Sequence, residues 1–290
     1  MSVRSRLIKK YRPTENPGFL GAGHRARAVV QIPYSESDPF ILLMDDMLDK
    51  TDDEPAGGPH PHAGFETVTL LLEGHFSDGI HNLKAGDLQL MTAGSGIIHA
   101  ETIDTRLRMR LLQLWLNLPL NNREAAPRVQ DIPLEHVPVA TTGDAQVRVY
   151  SGSLAGVTSP VQNYTPLIIA DVTIQPGGTA QLDLPASNTS FLYVLEGEVT
   201  IGDEKSSLRQ DEVGWLEKNN EPVAAELGLR AGNKGSRFVL YSAQPQKDEI
   251  ITHGPFVADN QEDIKRLYRE FRQGEMKHIS SLPVAQRILY

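Results

Sequence analysis

The segment Leu70-Leu71-Leu72-Glu73-Gly74 returns 123 residues later as Tyr193-Val194-Leu195-Glu196-Gly197, and Asp87-Leu88 returns loosely as Asp211-Glu212-Val213. A nearly constant offset across separate segments implies two copies of one module in this 290-residue chain. Each copy is made of short apolar runs closed by Gly, Pro, Asn or Asp: residues 28–32, 40–44, 67–72 and 111–116 in the first half, 167–174 and 238–241 in the second. Such runs predict antiparallel strands. Clear helical periodicity is confined to the end of the chain, where Ile264, Leu267, Tyr268 and Phe271 recur at i, i+3, i+4 and i+7. Asp259 or Asn260 is placed to cap that helix and Gly274 to stop it. The expected fold is all-β: two tandem barrels with a short C-terminal helix. A stretch rich in proline and glycine between 120 and 162 separates the copies. It sets the domains at 1–140, the metal-binding module, and 141–290, a module without metal ligands that ends in the amphipathic helix.

Two pairs of metal-ligand side chains, His60-Pro61-His62 and His99-Ala100-Glu101, lie in the first module. Residues i and i+2 of a strand share a face, roughly 6.6 Å apart, so each pair offers two ligands to one side. The strands and turns around 70–74 and 86–91 fold the chain back and return His99 beside His62. Three imidazoles and one carboxylate then converge on one ion. Glu66 competes with Glu101 for the carboxylate position, because it has the parity of His60 and His62 on an unbroken strand, and Gly64 interrupts that strand. His24, His75, His81, His136, His253 and His278 read as surface or hydrogen-bonded core residues. Phe65, Met91 and Trp115 read as ordinary core near the ligand strands. Projected through the repeat, the four ligand positions land near Asp183, Pro185, Val223 and Ala225, and the second copy has no histidine between Thr165 and Ala243. The metal therefore belongs to the first copy, and the second is a scaffold or partner surface.

The chain has no cysteine, which excludes thiolate metal sites, iron–sulfur clusters, disulfides and cysteine nucleophiles together. Any ion must be held by nitrogen and oxygen. Imidazole suits zinc, copper, iron and nickel, and a carboxylate adds tolerance for manganese; iron(II) is the first choice, ahead of manganese, nickel, copper and zinc. The formal charge of −9 argues against direct nucleic-acid binding. Arg4, Arg6, Lys9, Lys10 and Arg12 read as a solvated terminus. No run approaches the ~18 apolar residues of a membrane span, so a soluble, cytoplasmic protein is expected. Phosphate-cradling loops, dinucleotide fingerprints and serine elbows are absent.

The run Pro59-His60-Pro61-His62-Ala63-Gly64-Phe65-Glu66-Thr67-Val68-Thr69, followed by residues 86–101 with Thr92-Ala93-Gly94-Ser95-Gly96 and His99-Ala100-Glu101, resembles the two signature segments of the pirin family of the cupin superfamily. Residues 37–46 and Gly254-Pro255-Phe256-Val257 resemble it too. The resemblance implies two tandem cupin (jelly-roll) barrels, with iron held in the N-terminal one by residues matching His60, His62, His99 and Glu101. It favours Glu101 over Glu66. Ala63 stands where an arginine is usual, Leu90 where a tryptophan is common and Ser95 where an arginine is common, at the margin of the site, where they bear on substrate or partner preference. Some pirins resemble quercetin 2,3-dioxygenases in activity, whereas others partner transcription factors or metabolic enzymes. The first expectation is therefore an iron-dependent dioxygenase that opens a flavonol-like ring, using a small phenolic substrate and dioxygen, with Glu101 taking the hydroxyl proton. The second is a metal-dependent regulatory protein that binds a transcription factor or metabolic enzyme without turnover. A third is a zinc or manganese isomerase acting on a sugar.

Overall fold

The computed structural model describes residues 3–77, 80–202, 206–219, 221 and 223–290. It resolves into two compact units, one of residues 14–136 with 246–290, the other of residues 137–245 with the segment ending at Pro13. The division expected at 140 differs from this grouping at both ends of the chain. Strands Val3–Arg4 and Leu7–Tyr11 pair with Ala224–Ala243 and Val213–Leu216, so hydrogen bonding joins the N-terminus to the second module. The C-terminal helix Gln261–Arg272 buries Ile264 and Leu267 in a cluster with Ala63 and Phe256, so its apolar stripe is spent on the first module.

The unit of 14–136 with 246–290 is built on an eight-stranded sheet. Its spatial order is Arg287–Leu289, Arg128–Ile132, Leu88–Thr92, Phe65–Glu73, Leu107–Asn117, Phe40–Lys50, His24–Ala28 and Glu15–Pro17. The central strand Phe65–Glu73 is buried through its first seven residues, as a run flanked on both sides demands. A second, three-stranded sheet joins Pro59–His62, Ile97–Ala100 and Lys277–His278. That smaller sheet carries the three histidines.

The unit of 137–245 with the N-terminal segment has a ten-stranded sheet and a core that includes Val147, Val172, Leu192, Val194, Leu227, Phe238 and Leu240. The repeat is structural. Phe65–Glu73 lies between Leu88–Thr92 and Leu107–Asn117, and Thr189–Ile201 lies between Val213–Leu216 and Ala224–Ala243. The repeated glycines close these strands in the same way: Gly74 has φ +86° and Gly197 φ +72°, and a Cβ on either would collide with a carbonyl oxygen of the adjoining chain, Arg108 in one case and Gly235 in the other. Only glycine satisfies both demands.

The predicted strand at 28–32 is displaced. The strand is His24–Ala28, and Val29 and Val30 are buried in an irregular turn whose amides both reach the Leu43 carbonyl. At the C-terminal helix Asn260 is the cap, its side chain accepting from the Asp263 amide at 2.9 Å, while Asp259 pairs with Arg123 at 2.7 Å. A four-residue helix at Tyr34–Ser37, too short for periodicity to reveal, is the other α-helix among the described residues. No helix among them is long and apolar enough to cross a membrane.

Candidate metal centre

His60 and His62 stand on Pro59–His62, and His99 stands on the antiparallel neighbour Ile97–Ala100. The register sets His99 directly opposite His60 and Ile97 opposite His62, and the His99 ring lies 5.0 Å from that of His62, centroid to centroid. All three still share one face. One donor nitrogen from each histidine lies within 4.8 Å of the others, and the Nε2 atoms of His60 and His99 are 2.8 Å apart.

The protonation pattern suits ligation. His60 Nδ1 donates to the Gly58 carbonyl at 2.9 Å, which leaves the lone pair on Nε2, facing the cluster. Burial, helped by His99 and His60, holds the His62 pKa well below its ordinary value, so this imidazole is neutral. Its Nδ1 is buried without a hydrogen-bond partner of good geometry. Two imidazole nitrogens 2.8 Å apart require a proton or a cation between them. Nitrogen ligands about 2.1 Å from one cation and at right angles to each other would stand about 3.0 Å apart, so the donor set fits a divalent transition metal.

Glu101 stands just beyond the end of its strand, beside the imidazoles. Its Oε2 is 3.9 Å from His60 Nε2, and its Oε1 accepts from Gln113 Nε2 at 3.1 Å. Glu66 is elsewhere. It is fully buried in Phe65–Glu73 and accepts from the Thr92 hydroxyl at 2.7 Å. Gly64 explains the difference: at φ +86° it separates strand Pro59–His62 from strand Phe65–Glu73, so the parity linking Glu66 to His60 and His62 is not transmitted.

His60, His62 and Glu101 open onto a cavity of about 740 Å³ whose walls include Phe19, Ala26, Leu42, Met44 and Trp115. A narrower recess of about 60 Å³ adjoins it, lined by Leu48, Phe76, Met109 and Leu111. Trp115 meets His62 edge to face at 5.3 Å between ring centroids, and Phe65 backs Trp115 at 4.3 Å. Met91 lies in a separate core cluster with Ile97 and Val129. Ala63 and Leu90 are buried, Ser95 is exposed on a turn, and none of the three lines the cavity.

Sequence reasoning missed three cavity residues. Gln113 follows Met109 and Leu111 and precedes Trp115 at every second position of strand Leu107–Asn117, a polar side chain on an apolar face. Asp46 interrupts the alternation Leu42, Met44, Leu48 in the same manner, and His24 bonds its Oδ1 through Nε2 at 2.9 Å. Strand parity was the available signal. Among the other histidines, His81 pairs with Asp131, His136 with the Tyr290 carbonyl, His253 with Tyr268 and His278 with Ser280, while His75 is exposed on its strand. In the second unit Asp183 and Pro185 pair in register with Glu226 and Ala224, which keeps the antiparallel strands and lacks the imidazoles.

Comparison with known proteins agrees with both modules. The family described as pirin matches residues 24–116, and the pirin C-terminal cupin domain matches residues 169–277. Human pirin is 34% identical over 267 residues, covering 88% of this chain and 89% of that protein. A Pseudomonas aeruginosa protein provisionally named a quercetin 2,3-dioxygenase is 35% identical over 279 residues, covering 90% of this chain and 95% of that protein. A crystal structure of quercetin 2,3-dioxygenase from Acinetobacter baumannii superimposes with a TM-score of 0.82 at 26% identity, over 94% of this chain and 98% of that one. Both halves match in order and identity extends across most of the length, so the chain belongs to the pirin family.

Proposed function

We propose that this protein is an iron-dependent dioxygenase of the quercetin 2,3-dioxygenase type that opens the ring of flavonol-like phenols, with His60, His62, His99 and Glu101 as the metal ligands. The observation that carries the reading is the convergence of three imidazoles, with a carboxylate beside them, at the wall of a largely apolar cavity of about 740 Å³. That volume lies within the range of about 300–1,000 Å³ common for small-molecule sites. Relatives carrying the quercetin 2,3-dioxygenase name support the substrate class. Iron(II), when bound, would supply a Lewis acid for the substrate hydroxyl oxygen and electrons for dioxygen chemistry.

The remaining roles fall to the chain itself. Glu101 Oε2 accepts the proton of the substrate hydroxyl, while Gln113 holds Oε1 and so fixes which oxygen is presented. Trp115, Leu42 and Met44 offer a flat apolar wall that orients an aromatic substrate and displaces water from the reacting edge. A cytoplasmic location and a possible protein partner remain part of the proposal.

The test is metal analysis of the purified protein followed by oxygen uptake with quercetin. Iron-dependent uptake supports the proposal. Bound iron without uptake across several phenols would replace it with the regulatory reading, and stoichiometric zinc would replace it with the isomerase.

A further inference from the structure

His24 and Asp46 form a polar pair at the adjoining recess, apart from the ligand histidines, and Asp46 lines the larger cavity as well. We propose that Asp46, held by His24, is a specificity-determining residue that accepts a hydrogen bond from a hydroxyl on the part of a polyhydroxylated flavonol that does not react. The inference rests on the phenolic reading above and adds a second recognition point to it.

The pair is built from the backbone up. The Leu20 amide donates to His24 Nδ1 at 3.0 Å, so Nδ1 carries no proton and Nε2 is the donor to Asp46 Oδ1 at 2.9 Å. A hairpin holds that amide in place, with the Gly18 amide bonded to the His24 carbonyl at 2.8 Å. Gly18 has no alternative, because a Cβ there would enter the imidazole ring. His24 is buried and its orientation is therefore fixed from both sides.

Asp46 is thereby left as an acceptor facing the cavity, with its side chain 15% exposed. Among the described residues no donor meets its Oδ2. Leu42, Met44 and Leu48 share its face of the strand, and a carboxylate oxygen in an apolar wall gains most from a donor that the ligand brings. Phe19, 81% exposed at the cavity and 5.4 Å from the His24 ring, offers an aromatic face beside that point. With Glu101 in the same cavity, a neutral hydroxyl is matched and a ligand carboxylate is repelled.

The experiment measures anaerobic binding of quercetin and of 3-hydroxyflavone, which lacks the outer hydroxyls, to the iron-loaded protein. Wild type is expected to favour quercetin by about tenfold or more, the strength of a hydrogen bond to a charged acceptor. Asp46→Leu, close in shape and without an acceptor, should abolish most of that preference. If this variant does not fold, Asp46→Asn, which keeps the shape, should lose part of it, as should His24→Gln. Equal binding of the two flavonols by wild type, no binding of either, or full preference in the folded variants overturns the proposal. Oxygen uptake on the same samples separates the two claims. Preference without uptake leaves Asp46 as the recognition point and sinks the dioxygenase, and uptake without preference does the reverse.

Discussion

Nε2 of His60 and Nε2 of His99 lie 2.8 Å apart across an antiparallel strand pair in which the two residues are exact partners. The candidate metal centre is thus a property of strand register. A slip of one residue would send the whole His99 side of the pair to the opposite face. His62, one same-face step along from His60, supplies the third imidazole from a buried position where its neutral form is favoured.

Glu101 and Glu66 make opposite predictions. Glu101→Gln keeps shape but removes charge and basicity, so oxygen uptake with quercetin should fall about a hundredfold, in the range of a lost general base, while metal content falls far less. Glu66→Gln should leave metal content near wild type and show its effect in stability, about 1 kcal/mol from weakening the buried bond to Thr92. Parallel measurement of iron content, uptake and denaturant midpoint separates the two. If Glu66→Gln were the inactive variant, the ligand assignment would be wrong.

In the proposed mechanism Gln113 acts on Glu101 and not on substrate. Gln113→Leu frees Oε1 of Glu101, and the expected result is a kcat about tenfold lower with little change in KM for quercetin, as suits one lost charge-assisted bond. A loss confined to KM would instead mean that Gln113 touches substrate.

Much of this architecture was legible in the sequence, and the exceptions have physical causes. The repeat and the two same-face pairs were sufficient for a β fold with the ligands in one module, because strand periodicity is local and exact. Which strand residue opposes which is not local: the pattern brought His99 beside His62, whose ring is 5.0 Å away, but pairing it with His60 depends on the length of the intervening turns. The exchange of chain ends was equally invisible, since nothing in Ile264 or Leu267 says which apolar surface will cover them. His24 read as an unremarkable core histidine because its significance lies in Asp46, 22 residues away and in reach only once strands His24–Ala28 and Phe40–Lys50 pair.

The repeated glycines should be intolerant in both modules. Gly74→Ala and Gly197→Ala each force a side chain into a positive-φ position and against a carbonyl oxygen, at a cost of roughly 2 kcal/mol or more. Thermal unfolding of the two variants is the check. Midpoints equal to wild type would show that the strand ends relax freely, and that the repeat is not a structural requirement.

Whether the histidines of the first module hold the metal is read from the metal content of His62→Ala beside wild type after identical reconstitution with iron(II). The pre-formed β units do not depend on the ion as a small zinc-folded domain does. The variant should therefore keep the wild-type far-ultraviolet circular dichroism spectrum and lose most of its bound iron. Full iron occupancy in a folded His62→Ala protein would contradict the account.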